Sequence, residues 1–221
     1  MSINIEVYHT LKEKTAAANT SLVAVSKLKP VSDIQTLYDL GHRDFGENYV
    51  QELMDKAAQL PQDIRWHFIG HLQSNKVKYI ASFVHLIHGI DSEKLLTEVN
   101  KQAAKHNKII ACLLQVHIAQ EETKFGFDAA ELKAITEKIK ENTYPNVLVE
   151  GLMGMASFSD DVEKVAGEFN YLKLLFDEVQ VSLANPSFKI LSMGMSGDYE
   201  LAIYKGSNMI RVGSLLFGKR G

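Results

Sequence analysis

Eight short apolar runs recur along the chain, and their spacing restricts the fold more than any other feature. They begin at positions 21, 44, 65, 85, 109, 146, 188 and 209. The first reads SLVAVSK, and the later ones open DFGENY, RWHFIG, HLIHGI, IIACLLQVHI, NVLVEGLMGM, FKILSMGM and MIRVGSLLFG. Most intervals between starts are 20 to 24 residues, the room that one strand, a turn and one helix need. The runs are largely continuous in apolar character, as strands covered on both faces require.

Polar, periodic stretches lie between them: Ser32 to Leu40, Asn48 to Leu60, Ser74 to Ser82, Ser92 to His106, Asp128 to Asn142, Asp160 to Leu183 and Asp198 to Lys205. Several open with Ser or Asp, whose side-chain oxygens cap helix N–H groups; SDIQ from Ser32 and SEKL from Ser92 show the pattern. The clearest helix carries Val162, Val165, Phe169, Leu172, Leu175, Phe176 and Val179 on one face. Strict alternation of strand and helix predicts an α/β protein. Eight strands favour a single TIM-like (β/α)8 barrel over an open doubly wound sheet, which commonly needs fewer. No Pro/Ser/Gly-rich linker interrupts residues 1 to 221, so one domain is expected. Ile5, Tyr8, Leu11 and Ala18 predict a helix ahead of strand one. Few residues follow strand eight, so this N-terminal helix is expected to cover the gap left by the usual last outer helix.

The 24 Lys+Arg against 27 Asp+Glu, with 46% hydrophobic residues, are ordinary globular values and argue against disorder or a nucleic-acid-coating protein. Lys101, Lys105, Lys108, Lys138 and Lys140 alternate with acidic residues, as solvated helix faces do. The longest aliphatic stretch, Ile109 to Leu114, is far shorter than the ~20 residues that cross a bilayer. The first twenty residues mix charges with apolar positions, unlike a secretory signal, so a cytoplasmic location is expected. Cys112 is the only cysteine, excluding an intrachain disulfide and a cysteine-based zinc site, and its aliphatic neighbours imply core packing. The pairs His67/His71 and His85/His88 invite a metal reading, but they sit in or beside strands, with no further ligand at helpful spacing. No metal is expected. Met153, Met155, Met193 and Met195 are expected to fill the barrel interior.

In such barrels chemistry gathers at the C-terminal ends of the strands. Lys27 ends strand one, where apolar walls depress an amine's pKa and free it to attack an aldehyde; Lys29 reads as a lysine that snorkels to the rim. Lys124 in KFGF is a rival amine. After strand seven, Gly194, Ser196 and Gly197 bring small groups and free N–H donors to the turn that enters a helix at Asp198. Strand eight adds Gly213 and Ser214, and the loops after these two strands are this fold's recurrent phosphate site. Arg211 interrupts an apolar strand, and its guanidinium needs an acceptor: either a ligand or a carboxylate such as Glu150.

AVSKLKP at Ala24 to Pro30, FGENYVQE at Phe45 to Glu52, WHFIGHLQSNK at Trp66 to Lys76, KFGF at Lys124 to Phe127, LSMGMSGD at Leu191 to Asp198 and IRVGSLLFG at Ile210 to Gly218 together resemble the pyridoxal phosphate homeostasis protein family. The blocks follow family order over nearly the whole chain. The resemblance implies the type III PLP-binding barrel, similar to the N-terminal domain of alanine racemase, with pyridoxal 5′-phosphate (PLP) in its mouth. It implies a Schiff base on Lys27, a hydrogen bond from Ser196 to the phosphate, Gly213 and Ser214 N–H groups completing the cradle, and Arg211 facing the pyridine nitrogen. Asn48 and His71, in mouth-facing blocks, carry over as pocket-lining residues. Ser214 stands where Thr is common in relatives, which keeps the hydroxyl, and Asn208 where Thr or Ser is usual.

The implied function is intracellular PLP homeostasis, by buffering the cofactor or delivering it to PLP-dependent acceptor enzymes, with little or no turnover. Arginine at the ring nitrogen disfavours its protonation and weakens the ring as an electron sink. The catalytic tyrosine of racemase-like enzymes comes from a second domain for which this barrel leaves no residues. No residue names a protein partner, and a monomer is expected. Two alternatives are a PLP-dependent racemase or decarboxylase, and a Schiff-base aldolase acting on a phosphosugar.

Overall fold

The computed structural model describes residues 3–119 and 125–218. Its eight strands are β1 (Ser21–Val25), β2 (Asp44–Glu47), β3 (Arg65–Phe68), β4 (Leu86–Ile90), β5 (Ile110–Gln115), β6 (Val147–Met153), β7 (Ile190–Ser192) and β8 (Met209–Val212). Every neighbouring pair is parallel, and β8 returns to pair with β1, with Val23 opposite Arg211, so the sheet closes into a barrel in chain order. The chain has the fold predicted from its runs. Most strands are shorter than those runs, chiefly because the last residues of most runs turn into the loops at the mouth.

The outer layer holds α2 (Val31–Asp39), α3 (Val50–Ala57), a 3-10 turn (Ser74–Lys76) continuing into α4 (Val77–Ile80), α5 (Glu93–Lys105), α6 (Ala129–Lys140), α7 (Val162–Leu183) and α8 (Tyr199–Tyr204). Ser92 caps α5, accepting from the Leu95 N–H at 3.4 Å, and Asp128 with Glu131 forms a capping box on α6. Ser32 does not cap α2. Pro30 already occupies the cap position there, its fixed φ suiting a helix start, which places Ser32 inside the first turn.

The N-terminal helix, α1 (Ile5–Ala17), lies between α2 and α8. Tyr8 meets His42, just past α2, edge-on at 5.6 Å, and Lys14 reaches Glu200 of α8 at 2.5 Å. One further turn, α9 (Ser214–Phe217), follows β8, and the Leu216 carbonyl accepts from the Asn4 N–H at 2.9 Å. Thus α1 fills the outer slot after β8, resting on a short helix that the sequence reading did not foresee.

Strand side chains divide between two cores by the period of two along each strand. Leu22, Ala24, Phe45, Trp66, Cys112 and Leu114 join the helices in the large outer core. Val23, Leu86, Leu113, Met153 and Met209 pack together inside the barrel, drawn from five strands and no helix. The methionine expectation holds only in part. Met153 and Met155 belong to the interior, Met193 is buried in the outer core, and Met195 is exposed at the mouth. Odd positions of β1 face inward, so Lys27 continues the inward alternation past the strand end. Asn48, Ile69, Met155 and Gly213 do the same on β2, β3, β6 and β8. Among the described residues no helix is long and apolar enough to cross a membrane.

Candidate cofactor site

Because the inward positions converge beyond the strand ends, they enclose a cavity of about 520 Å³ at the mouth, a volume ordinary for a small-molecule site. Val25, Ile69, Met155 and Arg211 form its floor, and Lys27, Asn48, Ser196, Gly197, Gly213 and Ser214 stand around it. Six of the seven residues singled out from sequence therefore share one cavity. His71 does not. It lines a neighbouring cavity of about 420 Å³ beside α3, where Asn48 borders both spaces. There Asp91 holds the His71 ring at 2.9 Å and Phe125 stacks on it at 4.2 Å. Lys124 lies outside the described residues.

Lys27 is half-buried, on a turn fixed from both sides. The Leu28 N–H donates to Glu52 at 2.6 Å, and the Ser26 hydroxyl donates to Glu47 at 2.6 Å. Both carboxylates meet the buried Lys56 ammonium, at 2.7 and 2.8 Å, and Lys56 also donates to the Ser26 carbonyl at 2.8 Å. Leu28 sits at φ 60°, a left-handed conformation that a branched side chain adopts only at a cost. This ion cluster offsets that cost and carries the amine to the cavity wall. Burial pushes the Glu47 carboxyl up, against the lowering effect of Lys56. Lys29 does not simply snorkel to solvent: its ammonium donates to the Phe217 carbonyl at 2.7 Å and ties the same turn to α9.

Opposite, the β7–α8 turn is held by Asp198, which accepts from the Met195 N–H at 2.6 Å. Gly194 enters the turn at φ 95°, where a Cβ would stand 2.5 Å from that of Ala202. The turn leaves the Ser196 and Gly197 N–H groups without an acceptor among the described residues, and Ser214 after β8 adds a third. The Gly213 N–H, expected as a cradle donor, is instead spent on the Ser196 hydroxyl at 3.2 Å. That bond orients Ser196 as an acceptor toward the backbone and leaves its own proton to give. Three N–H groups and a hydroxyl on one wall match a dianion's oxygens.

Arg211 is 4% exposed, and none of the described carboxylates forms an ion pair with it. Glu150, the carboxylate considered from sequence, stays half-buried elsewhere, its carboxyl raised by burial and lowered by nearby Lys189. The guanidinium donates instead to the Ser192 hydroxyl at 2.6 Å and the Gly154 carbonyl at 3.1 Å. Burial lowers its pKa to about 10, opposed by the field of Asp198, so it is charged at neutral pH. Two of its five N–H groups are used; the others have no acceptor among the described residues, in a side chain that lines the cavity. A neutral ring nitrogen is an acceptor of the kind such a donor set suits. Sequence reasoning missed Ser192 and Gly154. The signal was present in the polar residues at inward positions, His67, His88 and Ser192, within strands read as apolar.

A family model described as the alanine racemase N-terminal domain matches residues 6–221. A pyridoxal phosphate homeostasis protein from Aquifex aeolicus is 42% identical over 200 residues, covering 90% of this chain and 86% of the relative. The chain belongs to this family. The human family member is 38% identical over 215 residues, covering 92% of this chain and 78% of its own. The solved structure of PipY from Synechococcus elongatus PCC7942, with PLP bound, superposes with a TM-score of 0.83 at 34% identity, over 90% of this chain and 93% of that one. Alanine racemase from Bartonella henselae shares the fold, with a TM-score of 0.75 at 18% identity, and this chain covers 62% of it.

Proposed function

We propose that this barrel binds PLP in its mouth and serves intracellular PLP homeostasis, buffering the cofactor or delivering it, with little turnover. PLP supplies an aldehyde and a conjugated ring. Lys27 is the amine that holds the aldehyde as a Schiff base. Ser196, through its hydroxyl and N–H, holds the phosphate with the Gly197 and Ser214 N–H groups, and Gly213 orients the Ser196 hydroxyl. Arg211 donates to the ring nitrogen, Asn48 lines the ring pocket, and His71 acts from the adjoining cavity. The single observation that carries the reading is the joining, on one cavity, of an amine, a cradle of N–H and hydroxyl donors and a guanidinium with spare donors. An aldehyde, a phosphate and a ring nitrogen are the counterparts of those three groups on PLP.

The fixed charge of Arg211 keeps a proton off the ring nitrogen, which suits storage better than carbanion chemistry. Delivery to PLP-dependent acceptor enzymes would pass through the mouth, near which Leu28, Tyr49 and Phe158 are exposed. The chain acts as a monomer in the cytoplasm in this reading, and the relatives are named for homeostasis rather than for a reaction. An absorbance scan before and after borohydride, followed by peptide mapping, tests it. The purified protein is expected to be yellow and to carry reduced PLP on Lys27, and Lys27→Ala to lose the imine band. An unchanged band in that variant, or label on another lysine, would overturn the assignment.

A further inference from the structure

A line of hydrogen bonds runs through the barrel interior from mouth to base. The Arg211 guanidinium meets Ser192 Oγ at 2.6 Å, which meets His88 Nδ1 at 3.4 Å, the longest link. His88 Nε2 meets His67 Nδ1 at 2.9 Å, and His67 Nε2 meets Asp44 Oδ1 at 3.1 Å. Asp44 is finally gripped by both arms of Arg65, at 2.6 and 2.5 Å. Ser192, His67 and His88 are at most 1% exposed, while the Arg65 side chain is 48% exposed at the base. The line joins β8, β7, β4, β3 and β2, crossing the apolar interior, where an unsatisfied polar atom is costly.

The two ends fix the direction of every proton. Arg211 cannot accept, so Ser192 takes its proton and turns its own toward His88 Nδ1. Burial opposes ionisation of Asp44, but the bonds from Arg65 and His67 hold its carboxyl well below the usual range, so it accepts from His67. Because Ser192 donates to Nδ1 of the His88 ring, that ring carries its hydrogen on Nε2; His67 Nδ1 then accepts it, and the hydrogen on His67 Nε2 faces the carboxylate. Burial, reinforced by His67, Arg211 and His85, pushes the His88 pKa far down, which keeps that ring neutral. The outcome is a one-way series of donors, all pointing from the mouth toward Asp44.

We infer that Ser192, His88 and His67 are positioning residues for the cofactor's ring nitrogen, acting through Arg211. The series holds the guanidinium by one edge, cannot pass a proton back to it, and leaves its remaining N–H groups aimed into the cavity. This rests on the PLP reading above, and its distinctive consequence concerns one atom of the ligand. Loosening Arg211 should weaken only ligands that carry a ring nitrogen.

The test measures dissociation constants of PLP and of 1-deaza-pyridoxal phosphate, which keeps the aldehyde and phosphate and replaces the ring nitrogen by C–H. In Ser192→Ala and His88→Leu the constant for PLP should rise about tenfold, and that for the deaza compound should change less than twofold. Ser192→Thr, which restores the hydroxyl, should recover PLP affinity. Equal losses for the two ligands, or no loss for either, would overturn the inference, because a general packing defect does not discriminate N from C–H. Should His88→Leu not fold, Ser192→Ala, which removes a single oxygen, decides alone. If the wild-type protein binds neither ligand, the functional reading fails instead, a distinguishable result.

Discussion

Arg211 is stabilised by hydroxyl and carbonyl acceptors rather than by a carboxylate, and that difference has chemical meaning. A carboxylate partner would have neutralised the charge and used its donors; uncharged acceptors leave both for a ligand. The cradle behaves likewise. Ser196→Ala, which removes the cradle's hydroxyl, should weaken PLP retention about tenfold while leaving pyridoxal, which lacks the phosphate, nearly unchanged; equilibrium dialysis with the two ligands checks this. A third residue sets a pH dependence. His42 is 3% exposed, and burial depresses its pKa to about 4, opposed by its bond to the Asp44 carbonyl. The unfolded chain therefore binds a proton at higher pH than the folded one. Stability should fall as pH drops through the window from 6.5 toward 4, by about 2 kcal/mol between pH 7 and 5 from this group. Urea unfolding across that range should show it, with a shallower slope in His42→Gln.

At the scale of elements, two devices hold the mouth in shape. The Glu47–Lys56–Glu52 cluster lies between β2 and α3 and clamps the turn that bears Lys27. Lys56→Met would leave the buried Glu47 and the half-buried Glu52 without their cation, with an expected cost of about 3–5 kcal/mol measured by denaturant unfolding. The second device is α1. With Leu11 1% exposed against the outer core, Leu11→Ala should cost about 2–5 kcal/mol, and it should also raise hydrogen exchange in α9, which rests on α1. Since α9 begins at Ser214, loosening α1 reaches the cofactor cradle from outside the barrel.

For the whole molecule, closure of the sheet makes the site and the stability one property. Lys27, Arg211 and the cradle come from β1, β7 and β8 and their following turns, so PLP held as proposed would require the closed barrel. PLP at one hundred times its dissociation constant should stabilise the fold by about 2.7 kcal/mol. Thermal melts should show Tm rising with PLP concentration in the wild type and much less in Lys27→Ala.

The sequence by itself determined the eight strands, their order, the helices between them, the N-terminal helix and the strand ends where chemistry gathers. These follow from local periodicity and from the obligation to bury continuous apolar runs. It also pointed to Lys27, Ser196, Arg211 and Ser214 as anomalies, because an amine, a polar turn or a guanidinium at a strand's end is visible one strand at a time. Only the tertiary structure decided which groups answer one another across the barrel. Ser192 rather than Glu150 meets Arg211, His67 pairs with His88 rather than His71, and the Gly213 N–H is spent inside the protein. Those choices depend on the stagger that closes the sheet, which sets the facing positions of strands far apart in the chain, and no local pattern encodes it.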